Sequence, residues 1–422
     1  MNQPSPTLDQ ASPSVKRRFP GQREFVAMMA AMMALNALAI DAMLPAFPAI
    51  GAALDVATAN DRQYVISVYI GAMGIGSLLY GPLADRYGRR PVLFTGIGVY
   101  ILFSLLCALA ESFTALLTFR FLQGFGAAAI GVLVTSVIRD RYSGDTMAKL
   151  MSMIFIVFMA VPVVAPTIGQ AILTVAGWRW IFGVFAIAGI AVIAWVWARL
   201  PETLEPCNVK PIKPNVLANT WRIVCFDRMA MGYVLGAGLI FGGLFGFLNS
   251  SQQIFADVFD AADIFPYAFA AVAGGLALAN FVNSRVVERI GARRVSHSAL
   301  CAFIVLSLSQ VAAALYAPQS MVLFLGLATV NMAMLGFTGS NFSALAMEPF
   351  GEVAGAASSF QTFVRTVLGA IIGASIGQFF NGTALPMAIG FLLAGIAALA
   401  LVLWCEKGKL FQRPQTCPNV PY

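Results

Sequence analysis

The sequence predicts an all-α integral membrane protein, with twelve transmembrane helices in two six-helix halves around a central cavity. Three observations carry this. Of 422 residues, 59% are hydrophobic and 11% charged, against about 45–50% and about 25% in soluble domains. The apolar residues fall in uncharged runs of bilayer length, and a charged loop motif recurs in the second half of the chain. So large an apolar excess cannot be hidden in a globular core.

Runs free of Asp, Glu, Lys and Arg cover 63–84, 91–110, 121–138, 150–178, 180–198, 229–256, 264–284, 295–347 and 366–405. A helix crosses the hydrocarbon core in about 20 residues. The run 295–347 is too long for one helix and breaks at Ala317-Pro318-Gln319-Ser320; the run 366–405 breaks at Asn381-Gly382-Thr383. Turn-forming residues of this kind make each a helical hairpin. A first span over about 24–45, and one over 353–380 interrupted by Arg365, bring the number to twelve. No cleavable signal peptide is expected, because the first 23 residues are polar and proline-bearing and the first apolar run is long enough to stay in the membrane.

The longest connection, 200–227, carries Pro201, Pro206, Pro211, Pro214, Lys210 and Lys213. It reads as a linker between halves at 24–199 and 228–405, flanked by tails at 1–23 and 406–422. A repeat supports the division. Asp85-Arg86-Tyr87-Gly88-Arg89-Arg90 after the second span returns 203 residues later as Glu288-Arg289-Ile290-Gly291-Ala292-Arg293 after the eighth. Ile168-Gly169-Gln170 and Ile376-Gly377-Gln378 are a weaker echo. Duplicated halves of this kind enclose a midplane binding site in alternating-access carriers.

Orientation follows from the basic residues. Of 26 Lys and Arg, 22 fall in the tails and loops of one side, only Arg62 and Arg179 on the other, and Arg120 and Arg365 inside spans. By the positive-inside rule both termini are cytoplasmic. The net charge of +7 is therefore a topology signal, and no nucleic-acid partner is expected. None of Cys107, Cys207, Cys225, Cys301, Cys405 and Cys417 lies in an outer loop, and His297 is the single histidine. Neither a disulfide framework nor a metal or catalytic histidine cluster is expected, and no cofactor.

Charges inside the spans are expensive and mark function. Asp41 lies in the first span, with a structural hydrogen bond near Pro45 as the plainer reading. Arg120 lies in the fourth, with Gln123 one turn on along the same face; it is either a cavity charge or a cation satisfied by backbone carbonyls. Counted from span ends near Pro48 and Thr114, Asp41 and Arg120 lie at similar depth, where two opposite charges gain most by facing each other or the cavity. Arg365, near mid-bilayer, either receives an anionic substrate group or holds its helix to a neighbour. Pro162, Pro166 and Gly169 give the fifth span a narrow, bendable surface. Met28, Met29, Met32, Met33 and Met43 offer soft packing or an adaptable contact surface. His297, Glu348 and Glu352 read as solvated or interfacial.

Gly81-Pro82-Leu83-Ala84-Asp85-Arg86-Tyr87-Gly88-Arg89-Arg90 resembles the signature loop of the major facilitator superfamily. Ile40-Asp41-Ala42-Met43-Leu44-Pro45-Ala46-Phe47-Pro48, Arg120-Phe121-Leu122-Gln123-Gly124, Ile138-Arg139-Asp140 and Ala165-Pro166-Thr167-Ile168-Gly169 look like its bicyclomycin-resistance (Bcr/CflA) drug/proton antiporters. The likeness is dense over roughly 40–205 and thin beyond, apart from Gly355-Ala356-Ala357-Ser358-Ser359. The fifth-span antiporter motif usually reads Gly-Pro where this chain has Ala165-Pro166.

The resemblance implies a major facilitator fold with the first and fourth spans lining the cavity. It also implies a conformational latch built from Gly81, Asp85, Arg86, Gly88, Arg89 and Arg90, with topology alone as the other reading of that basic loop. Pro162, Pro166 and Gly169 would seal the halves and favour antiport over leak. The expected function is proton-coupled efflux of drugs or small amphipathic molecules. Asp41 and Arg120 would couple to protons, and Asp41, Arg120, Gln123 and Arg365 would meet the substrate. The expected setting is the bilayer of the cell inner membrane, as a monomer. An importer or facilitator of a small nutrient on the same fold is the alternative. An enzyme is not expected, since no intramembrane nucleophile and base stand together.

Overall fold

The computed structural model describes residues 19–411 except 143, 206, 208, 210, 213 and 351–353. Most of the N-tail, Lys210, Lys213, Glu352 and Cys417 lie outside the described residues. Helices α1 (Gln22–Asp41) and α2 (Phe47–Ala53) make the first span, followed by α3 (Tyr64–Tyr87), α4 (Arg89–Ala108), α5 (Phe113–Arg141), α6 (Gly144–Ala176) and α7 (Trp178–Arg199). After α8 (Pro214–Phe226) come α9 (Arg228–Gln253), α10 (Phe265–Ile290), α11 (Ala292–Tyr316), α12 (Met321–Met347), α13 (Ala354–Gln378) and α14 (Leu385–Cys405). Among the described residues twelve spans are long and apolar enough to cross a membrane, and there is no strand.

The first span differs from its expected limits. It runs to Ala53 rather than stopping near Pro48, with a break after Asp41. Pro45 has no N–H to offer the carbonyl of Asp41, so the α-helix stops there. A short 3-10 turn, Leu44–Ala46, and then α2 restart it, with Pro45 and Pro48 in their first positions, where a missing donor costs nothing. Helix α6, by contrast, continues through Pro162 and Pro166, as membrane helices tolerate when neighbours re-satisfy the freed carbonyls. Polar caps start three other helices. Ser112 Oγ accepts from the Ala115 amide, Asp227 Oδ1 from Ala230 and Ser320 Oγ from Leu323.

The linker region holds a helix of its own, α8, which the proline-rich sequence did not suggest. Its Val224 packs with Ala230, Phe350 and Ala357, and its Trp221 stacks on Phe360 of α13 at 6.4 Å.

Loops carrying most Lys and Arg gather at one end of the bundle, here the basic end; the other is the far end. The halves meet along two seams, α3 with α13 and α6 with α10. The α3–α13 seam keeps one register throughout. From the far end inward, Asn60 meets Gln378, Gln63 meets Gly377, Gly71 meets Ala370, Gly74 meets Val367 and Gly81 meets Ser359. As one number climbs the other falls by nearly the same amount, which is the signature of two antiparallel helices in contact over their whole length. Small residues along such a seam let the backbones approach closely.

Candidate functional site

Asp41 closes α1 and is 5% exposed. Twelve residues separate it from the end of its span at Ala53, about 18 Å at the helical rise, so it lies deeper than the seven residues expected from a helix ending near Pro48. No described residue forms an ion pair or hydrogen bond with its carboxylate. Helix α6 seats itself beside it. Ala165, Pro166 and Gly169 are buried, and a Cβ on Gly169 would collide with the backbone carbonyl of Ala42. Pro162 is half-buried one turn away. The structure thus brings the fifth-span motif against the break in the first span, one residue past Asp41.

Arg120 is fully buried. Its Nε donates to the Val65 carbonyl at 2.9 Å, Nη2 to the Ala39 carbonyl at 3.2 Å and Nη1 to Gln123 Oε1 at 2.8 Å. Gln123 in turn donates to Ser104 Oγ at 2.7 Å. The guanidinium lies 4.3 Å from the Tyr69 ring centroid and 5.8 Å from that of Phe182. Ala39 belongs to the last turn of α1, so Arg120 places a cation and a donor where helix carbonyls have lost their partners. Asp41 and Arg120, expected to face each other or the cavity, form no ion pair with each other. Arg120 reaches the helix end that carries Asp41, two residues away along the chain, and is satisfied by carbonyls rather than by the carboxylate.

Arg365 is placed differently. Its Nη1 donates to Ser343 Oγ at 3.3 Å and its guanidinium lies 4.6 Å from the Phe241 ring centroid. Its Nε is buried with no partner, and no carboxylate pairs with it among the described residues. Four of the five methionines of the first span, Met28, Met29, Met32 and Met43, are wholly buried in the main core and Met33 packs against it, which is packing.

At the basic end, Gly88 adopts φ +97°, a conformation glycine reaches without strain. A Cβ there would come within 2.8 Å of Glu202 Oε2. That approach lets Glu202 accept from the Arg89 and Arg90 amides at 2.9 and 3.0 Å, capping α4. Arg89 bridges Asp85 and Asp140, the latter at 2.8 Å, and Arg90 donates to the Trp197 carbonyl. Arg86 is exposed. Asp85 pairs with Arg89 of its own half rather than with a helix of the other half; Gly81, inside α3, makes the cross-half contact at Ser359.

The repeat is structural as well. Gly291 has φ +95°, and Arg293 bridges Glu348 and Glu406 at 2.7 and 2.8 Å. His297 and Glu348 are therefore not simply solvated. His297 is fully buried, its Nε2 3.0 Å from the Tyr233 hydroxyl and its Nδ1 accepting from the Phe411 amide at 3.1 Å. Glu202 and Glu406, each just after the last helix of its half, went unread because their partners stand over a hundred residues away. Their separation of 204 residues, one more than the offset of the loop repeat, is the signal that could have found them.

The far end is closed by a wholly uncharged network. Gln63 Nε2 donates to Gln253 Oε1, and Gln253 Nε2 to Asn60 Oδ1 at 3.2 Å. Asn60 Nδ2 donates to the Gln378 and Phe380 carbonyls at 3.0 and 2.9 Å, and Asn249 Nδ2 to Ser67 Oγ at 3.0 Å. A search for charge misses it, although the run Asn249-Ser250-Ser251-Gln252-Gln253 at the end of an apolar helix was readable.

The Major Facilitator Superfamily model matches residues 29–374. A bicyclomycin resistance protein homolog of Haemophilus influenzae is 31% identical over 370 residues, 86% of this chain and 91% of that one. An uncharacterized MFS-type transporter, YdgK, of Bacillus subtilis is 32% identical over 90% of this chain and 95% of its own. The multidrug resistance protein MdtL of Escherichia coli is 30% identical over 54% of this chain and 57% of its own. The crystal structure of a D-xylose-proton symporter superposes with TM-score 0.69 at 15% identity, over 92% of this chain and 99% of the other. That of the human organic anion transporter MFSD10 gives 0.63 at 16%, over 92% and 100%. At such identities these two speak for the fold alone. By fold, duplicated loops and a family match over most of its length, the chain belongs to the major facilitator superfamily.

Proposed function

We propose that the protein expels drugs or small amphipathic molecules in exchange for protons, by alternating access. Its setting is the cell inner membrane with both termini cytoplasmic, so that the basic end faces the cytoplasm, and it works as a monomer. The halves are 24–199 and 228–405, joined by 200–227. Likeness over most of the chain to a bicyclomycin resistance protein homolog, and over half of it to MdtL, supports export.

The single observation that carries coupling is Asp41, a buried carboxylate with neither counter-ion nor donor. An ionised carboxylate so placed is costly, and a proton or the cationic group of a substrate relieves it. Both cannot occupy it together, so each displaces the other, which is the minimum device for exchange. Arg120 is a positioning residue in this scheme, holding the end of α1 and with it Asp41. Pro166 and Gly169 keep α6 against that joint and so limit leak. Asp85, Arg89, Asp140 and Glu202 bind the inner ends of α3, α4 and α5 to the chain leaving α7, so that the half rocks as a body.

The test is substrate-induced proton release from the detergent-solubilised protein, with a substrate taken from a resistance panel in a pump-deficient host. Asp41→Asn is expected to abolish release. Undiminished release from this variant would place the proton elsewhere and overturn the assignment.

A further inference from the structure

Asp41 and Arg365 form a matched pair of unanswered charges, one in each half. Asp41 lies 12 residues from the far end of its span at Ala53, and Arg365 lies 13 from the far end of its own at Gln378. At the helical rise both are about 18–20 Å below that end. Arg120, the other intramembrane guanidinium, has its three nitrogens engaged by two carbonyls and an amide oxygen. Arg365 has a single long hydrogen bond to Ser343 and a buried, unpartnered Nε, although a guanidinium carries five donors. Phe241 takes the face of the guanidinium at 4.6 Å. A stacked ring holds the plane without using the N–H edge, whose donors other than Nη1 have no partner among the described residues and suit a planar oxyanion.

Resting on the export reading above, we infer that the substrate is a small amphipathic zwitterion. Its carboxylate docks on the unpartnered N–H edge of Arg365, and its ammonium competes with the proton at Asp41. The apolar body lies between, with Phe241 as one contact. Neither charge of the carrier then stays buried and unanswered when the site is loaded.

The test uses the purified full chain in detergent and three probes on one scaffold: 6-(aminomethyl)naphthalene-2-carboxylic acid, whose ring separates its two charges, its methyl ester, which lacks the anion, and its N-acetyl derivative, which lacks the cation. Binding is measured by calorimetry. The wild type is expected to bind the zwitterion at least about ten-fold more tightly than the ester, the scale of a charge-assisted pair. Arg365→Gln closes that gap by weakening the zwitterion and the N-acetyl derivative but not the ester, and Arg365→Lys restores part of it. Asp41→Asn closes the gap between the zwitterion and the N-acetyl derivative. Wild-type affinities for zwitterion and ester within two-fold, an unchanged gap in Arg365→Gln, or no binding of any of the three overturns the zwitterion assignment. Should Arg365→Gln fail to fold, the wild-type gap and Arg365→Lys decide alone. Proton release evoked by the ester, with no preference for the zwitterion, would sink this inference and leave the export reading standing.

Discussion

Arg120 illustrates how a buried charge is kept without a counter-ion. Carbonyls of Ala39 and Val65 and the amide of Gln123 surround the guanidinium, and Tyr69 covers its face. Lysine would keep the charge but lose the fork, stranding at least one carbonyl. Each buried group left unsatisfied costs about 1–3 kcal/mol. Arg120→Lys is therefore expected to lower stability in detergent by about that amount, with export reduced rather than abolished, and Arg120→Ala to lose both. Melting in detergent beside vesicle transport checks this, and an Arg120→Lys variant as stable as wild type would argue against the carbonyl cradle.

Helix α6 owes its place to what it lacks. With no side chain at Gly169, the helix settles on the backbone of Ala42, where Pro45 has already broken the first span. Gly169→Val forces the two backbones apart, and overpacking of this kind costs about 1–3 kcal/mol. The expected outcome is a chain that still inserts but melts earlier and leaks protons, because α6 also forms the seam with α10. Intact proton tightness in inserted Gly169→Val would reduce the contact to ordinary packing.

Over the whole molecule, the α3–α13 seam is closed from Asn60 to Gly81, so one end must part for a substrate to reach Asp41. At the far end the fastening is entirely amide, serine and carbonyl, which opens without separating charges. Removing Gln63 and Gln253 together deletes bonds worth roughly 1 kcal/mol each, enough to shift a closed–open balance by about 5–30-fold. Spin labels at positions 61 and 381 should then show a longer distance population. An unaltered distribution in Gln63→Ala/Gln253→Ala would mean that the network does not hold this end.

Span number and most span ends were legible because uncharged length and turn residues such as Pro318 and Gly382 act locally. The cost of burying Asp41 was likewise legible from its neighbours in sequence. Its depth was not, because a helix that stops at Asp41 restarts at Phe47 and carries the span on to Ala53. The loop repeat was readable, whereas Glu406 and His297 were not, since their partners come from helices more than sixty residues away. What the sequence by itself determined is the chain's membrane character, its duplication and the positions of its three deep charges. Only the tertiary structure decided which of those charges is answered. Helix packing brings the carbonyls of Ala39 and Val65 to Arg120 while leaving Asp41 and the N–H edge of Arg365 short of partners, and backbone carbonyls, present at every residue, leave no mark in a sequence.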